Sequence, residues 1–139
     1  MPVDSQFRLS KSDELLMRQV HPSQITEGRP SSRCFTPTGT DKGYLSADRG
    51  SLLSPKEAYE RYLLRKQLSE GGGTWGVSIA EFEQLGLFSY SDPLPENASH
   101  ALVDFTSAGD DKKQLTKGKL AYAKAMARKR LHPPPAVDQ

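Results

Sequence analysis

Glycine and proline cut this chain into short pieces, and that punctuation limits what it can fold into more than any other feature. Pro22, Gly71-Gly72-Gly73, Asp92-Pro93-Leu94-Pro95 and Pro133-Pro134-Pro135 each interrupt a helix or a strand. Proline lacks a backbone donor and fixes φ, while glycine raises the entropic cost of ordering the chain. With 10 Pro and 11 Gly among 139 residues, 35% apolar and 26% charged, the composition fits one globular body with long ordered loops better than a helical bundle. The length suffices for one modest core and not for two.

Between the breaks, local signals define the elements. Ser54-Pro55-Lys56-Glu57 is a helix start, since the serine oxygen accepts an orphan backbone N–H, proline suits the first helical position and Glu57 bonds back. The helix is expected from Pro55 to about Leu68, with Ala58, Tyr59, Tyr62 and Leu63 on its apolar stripe. Ser78-Ile79-Ala80-Glu81 repeats the capping pattern before a short helix through Leu85. Trp75, Val77 and Ile79 alternate, Leu87-Phe88-Ser89-Tyr90 reads as extended, and His100-Ala101-Leu102-Val103-Asp104-Phe105 has strand composition. Leu15-Leu16-Met17-Arg18-Gln19-Val20 fits either a two-turn helix or a strand. Residues 21 to 50 read as extended segments joined by turns. A last helix over residues 112–131, led by Asp110 and Asp111, is expected to turn Leu120, Ala123, Ala127 and Leu131 inward and to stop at the prolines.

The expected fold is therefore α+β. A small, mostly antiparallel sheet from the regions of Phe35, Trp75, Phe88 and Leu102 packs on three to four helices, with a basic helix at the C-terminus. Residues 1–12 are expected to form a flexible segment, 13–131 a single domain and 132–139 a Pro-rich tail. No stretch approaches the roughly 20 apolar residues of a membrane span, and residues 1–6 lack the basic start and apolar run of a secretory signal, so a cytoplasmic setting is expected. Cys34 stands alone, which excludes an intramolecular disulfide and any multi-cysteine zinc site within this chain. His21, His100 and His132 lack the close spacing of a local metal site, so neither a metal nor a cofactor is expected.

Charge is the clearest functional signal. Of 19 Lys and Arg, eight lie between residues 112 and 131, where there is no acid, so the rest of the chain sets 11 cations against all 17 acids. Lys117, Lys124, Arg128, Lys129 and Arg130 are the candidate contacts for a partner, because an acidic body with a basic arm steers toward a charged surface. Such an arm also neutralises phosphates, which makes nucleic acid the alternative occupant. A second cluster, His21 through Cys34, gathers an imidazole, hydroxyls, a guanidinium and a thiol. From it, together with His100 at a loop-to-strand junction, His21, Ser32, Arg33 and His100 are the candidate ligand-binding residues.

Arg18 or His21, then Ser31-Ser32, then Glu81-Phe82-Glu83 follow one another along the chain, and their order resembles the Arg, Ser-x-Ser and Glu-x-Glu elements of ADP-ribosyltransferases. The resemblance implies NAD as substrate, a catalytic set of Arg18, His21, Ser31, Ser32 and Glu83, and Glu83 as the group orienting the reacting ribose. Here the serines are adjacent, and Glu81 also completes a helix cap. The leading expectation is a small cytosolic protein that binds another protein, of the antitoxin, immunity or accessory-subunit kind, without turnover. The NAD-using transferase and the nucleic-acid binder are the alternatives.

Overall fold

Leu16 and Met17 are adjacent and both are buried, so the strand that carries them must be covered on both faces. The computed structural model, which describes residues 7–135, shows this segment as β1 (Leu15–Gln19), an interior strand of a five-stranded antiparallel sheet. A two-residue hairpin, β2 (Ile25–Thr26) with β3 (Arg29–Pro30), stands apart. The sheet is completed by β4 (Tyr44–Arg49), β5 (Thr74–Ser78), β6 (Phe88–Ser91) and β7 (His100–Asp104), in the order β5-β1-β4-β7-β6. With α1 (Pro55–Lys66), α2 (Ile79–Gln84) and α3 (Asp111–Arg128), the chain has the expected small α+β architecture. No helix among the described residues is long and apolar enough to cross a membrane.

Register sorts the side chains into two layers. Leu16, Leu45, Ala47, Val77, Ala101 and Val103 share the face covered by Ile79 and Phe82 of α2 and by Ala121 and Ala125 of α3. Met17 points the other way and packs with Leu53 and Ala58 under α1. Both predicted capping boxes form: Ser54 Oγ accepts from Glu57 N at 3.1 Å, Ser78 Oγ accepts from Glu81 N at 3.0 Å, and each glutamate accepts in return from its serine's backbone N–H. A bidentate pair between Arg49 and Glu14, at 3.0 and 3.1 Å, ties the end of β4 to the start of β1.

Three expectations are corrected. Phe35 contributes no strand; it is a fully buried plug in a turn-rich loop, and β4 supplies the sheet in that part of the chain. Leu120, Ala123 and Ala127 face outward, because α3 approaches the core along the stripe of Gly118, Ala121 and Ala125. A Cβ at Gly118 would lie 1.8 Å from Thr36 Oγ1 and 3.0 Å from the Phe35 carbonyl oxygen, so a larger residue would hold the helix away. Finally, α3 ends at Arg128, before the prolines, since Lys129 takes a positive φ of 72° and the chain turns back to pair with β5.

That return closes one sheet edge, with Leu131 N donating to Thr74 O at 2.8 Å and Thr74 N to His132 O at 2.7 Å. The other edge is met by the N-terminal segment, where Arg8 bridges Tyr90 and Leu9 N donates to Ser89 O at 2.8 Å. The packed body thus extends at both ends past the 13–131 span read from the sequence. Residues 1–6 and 136–139 of the expected end segments lie outside the described residues.

Gly118→Ala is expected to destabilise the fold by about 1–3 kcal/mol, as overpacking does, whereas Ala123→Gly on the outward face should cost no more than about 1 kcal/mol of helix propensity. Urea titrations of the two variants check the contrast.

Candidate functional site

With its small residues spent on the core, α3 turns its long side chains to solvent. Lys112, Lys113, Lys119 and Lys124 are exposed along it, Lys129 is exposed at its end, and Lys117 is half-buried. Leu120 lies among them at 46% exposure, with Ala123 and Ala127 open beside it. Among the described residues no lysine of this helix forms an ion pair. The arginines behave differently. Arg128 Nη1 reaches Glu81 Oε1 at 2.7 Å and also donates to the Gly76 carbonyl. Burial pushes the Glu81 carboxyl up, but Arg128 and the Ser78 cap together hold it below the usual carboxylate range. Arg130 donates to the carbonyls of Pro133 and Pro134. Of the five partner contacts read from the sequence, Lys117, Lys124 and Lys129 therefore carry charge without a carboxylate partner among the described residues, while Arg128 and Arg130 brace the fold.

The predicted ligand set is divided. His21 Nδ1 accepts from Ser23 N at 3.1 Å, so its ring caps the 3-10 turn at Pro22–Gln24. Ser31 and Arg33 line a concavity of about 780 Å³ shared with Lys112 and Gln114 of α3, and exposed Ser32 is not in that lining. His100 lies across the sheet: its partner in register is Asp48, on the Met17 face, whereas Cys34 and Phe35 belong to the core on the Leu16 face. There His100 Nδ1 is 3.0 Å from Asp92 Oδ2. Cys34 is buried, and the loss of solvent pushes its thiol up to about 11 even though Arg18 nearby opposes the shift, which leaves it protonated and unreactive at neutral pH.

The transferase set separates as well. Arg18 donates through Nε to Cys34 O at 3.0 Å and through Nη1 to Ser46 O at 2.8 Å, bridging β1, β4 and the buried loop. Glu83 sits on α2 at 3.7 Å from Arg8, whose guanidinium stacks over Phe88, 3.8 Å from the ring centroid. Ser31 belongs to the concavity beside α3 and Arg18 to a cleft beneath α1, so Arg18, Ser31 and Glu83 are held by three different parts of the molecule. Among the described residues no group of three His, Cys, Asp or Glu side chains gathers in a way that could hold a metal ion.

Sequence reasoning passed over the cleft beneath α1, which Gln19, Asp48, Tyr62, Arg65 and Asn97 line with Arg18 and His100. Its one sequence signal is the three-residue spacing of Tyr62 and Arg65 on α1, and the remaining members come from strands and a loop far apart in the chain. No family model, no curated protein and no solved structure matches this chain.

Cys34 supplies a pH test. Its folded pKa of about 11 lies above the ordinary 9.0, so its contribution to stability is complete below pH 9 and is lost as pH rises from there through about 11. Stability measured by urea denaturation is expected to fall more steeply across that window in wild type than in Cys34→Ala, and equal slopes would contradict the assignment.

Proposed function

We propose that this chain is a non-catalytic partner-binding protein, of the accessory, antitoxin or immunity kind, that engages an acidic protein surface through the outward face of α3. The supporting observation is the set of lysines around Leu120, exposed and without carboxylate partners among the described residues, on a helix whose one arginine, Arg128, is already committed to the fold. Unpaired rim charges raise the rate of encounter with an opposite surface and select among partners, while a central apolar side chain supplies the desolvated contact that charge alone does not.

Two further features favour a helix-face contact over strand addition. Both sheet edges are met by chain ends, at Arg8 and Leu9 beside β6 and at Leu131 and His132 beside β5, which leaves few free backbone groups for an incoming strand. Leu120 with open alanines at its side also suits a protein groove better than a phosphate backbone, which rewards cations and not apolar side chains.

Capture from a host extract treated with nuclease tests the reading. Wild type is expected to retain an acidic protein stoichiometrically at low salt. Binding of that protein should weaken about tenfold or more with Lys119→Glu/Lys124→Glu and also with Leu120→Asp, which interrupts the apolar contact without touching the core. Retention unchanged in both variants, or a bound species that vanishes on nuclease treatment, would overturn the proposal, the second outcome in favour of nucleic acid.

A further inference from the structure

β1 and β4 pair only at Leu16 with Arg49 and at Met17 with Asp48. Past that point the strands give up their ladder, and the Arg18 side chain replaces it by donating to the Ser46 carbonyl that β1 no longer meets. The guanidinium therefore lies between the strands and reaches the α1 face of the sheet. There it lines a cleft of about 290 Å³ with Gln19, Tyr62, Arg65, Asn97 and His100. An adjoining hollow of about 450 Å³ shares Asp48, Arg65, Glu96 and Asn97 with it, and the two together fall in the size range of small-molecule sites.

Two donors in this cleft lack what their chemistry requires. Arg18 is half-buried and bonded only to the neutral carbonyls of Cys34 and Ser46, with no carboxylate at ion-pair distance among the described residues. Its neighbour Gln19 accepts from Thr74 Oγ1 at 2.9 Å through Oε1, but its Nε2 is buried with no hydrogen-bond partner among the described residues. A confined cation with no carboxylate in contact and a buried amide without an acceptor each cost free energy, and a negatively charged oxygen group in the cleft would offset that cost. Arg65, exposed at the end of α1, adds a second guanidinium to the lining. Desolvation lowers the Arg18 pKa, opposed by Cys34, Asp41, Tyr62 and Asp48, which accords with a cation whose surroundings do not fully compensate it.

We infer that this cleft binds the phosphate or carboxylate group of a small hydroxylated molecule, seated on Arg18, Gln19 and Arg65. Hydroxyls suit the lining because it also holds the carboxylates of Asp48 and Glu96, which can accept from them. Asp48 Oδ1 already accepts from Asn97 Nδ2 at 2.7 Å and from Ser99 Oγ at 3.3 Å, which keeps that carboxylate engaged with its own loop. His100 is held through Nδ1 by Asp92, and its other ring nitrogen remains as a donor or acceptor. The site lies on the opposite side of the sheet from α3 and is independent of the partner-binding reading.

The probe is inorganic phosphate, titrated into the full chain at constant ionic strength with chloride as control and followed by nitrogen–proton NMR. Saturable shifts of the Gln19 side-chain amide and the Arg18 Nε–H are expected at millimolar phosphate and not with chloride. Gln19→Glu keeps an acceptor for Thr74 but sets a negative charge where the anion sits, so the phosphate-dependent shift of the Arg18 Nε–H, the readout that remains in this variant, should disappear. Arg65→Gln, at an exposed position where folding is not at stake, should weaken binding several-fold. No saturable shift at these two groups overturns the inference, as does phosphate binding unchanged by Arg65→Gln or, in a Gln19→Glu protein of native-like spectrum, unchanged by that substitution. An equal response to chloride counts against it too.

Discussion

The contact between α3 and the loop at Phe35 and Thr36 governs the rest of the molecule. Gly118 lets the helix axis come so near that any side chain there would collide with Thr36 and the Phe35 carbonyl, and Ala121 and Ala125 continue the same close approach along the helix. Small residues lose little side-chain entropy on burial and bring backbone and sheet into contact, so the helix packs closely along this stripe while Tyr122 and Met126 pack against the core beside it. The consequence appears on the far side. Once the small stripe is inward, the rotation of the helix is set, and Leu120 with the lysines about it is carried outward.

Arg18 holds a comparable position within the sheet. Backbone pairing between β1 and β4 stops after two residue pairs, and the guanidinium takes over the bonding by linking the Ser46 carbonyl to the carbonyl of Cys34. A side chain in the place of a ladder keeps the sheet continuous while it places a positive charge at the floor of the cleft under α1. The chain ends act on the periphery in a related way: Leu9 and His132 satisfy backbone groups on the two edge strands that would otherwise attract another strand. Arg128 and Arg130 serve that arrangement, one by anchoring the end of α3 to Glu81 and Gly76, the other by holding the carbonyls of Pro133 and Pro134.

Much of the fold was legible because its signals are local. The Ser54 and Ser78 caps depend on residues three apart, and both form with the reciprocal bonds that the sequence implies. Strand β7 follows from its β-branched and apolar composition. The segment Leu15–Gln19 was ambiguous for a physical reason: a strand buried on both faces loses the alternation that distinguishes strand from helix, and Leu16 and Met17 are that case. The stripe of α3 was misread because apolar spacing counted from Leu120 passes over Gly118, whose contact with Thr36 and Phe35 sets the inward face and leaves Ala123 and Ala127 outside. The candidate sites were legible only in part. The lysines of α3 lie within one short stretch of the chain and their charge is visible at once, but the cleft draws Gln19, Asp48, Tyr62 and Asn97 from four separate parts of the chain.

By itself the sequence determined the α+β class, the starts of the helices and the concentration of positive charge at the C-terminal end, since composition, caps and breakers act over a few residues. Tertiary structure alone decided which cations remain available, because only packing brings Glu81 to Arg128 and the proline carbonyls to Arg130 while leaving Lys119 and Lys124 in solvent. It decided equally that His100 lies across the sheet from the loop of Cys34 and Phe35 and that Arg18 and Gln19 share one cleft. Distances between residues far apart in the chain follow from how sheet and helices stack, and no local preference encodes them.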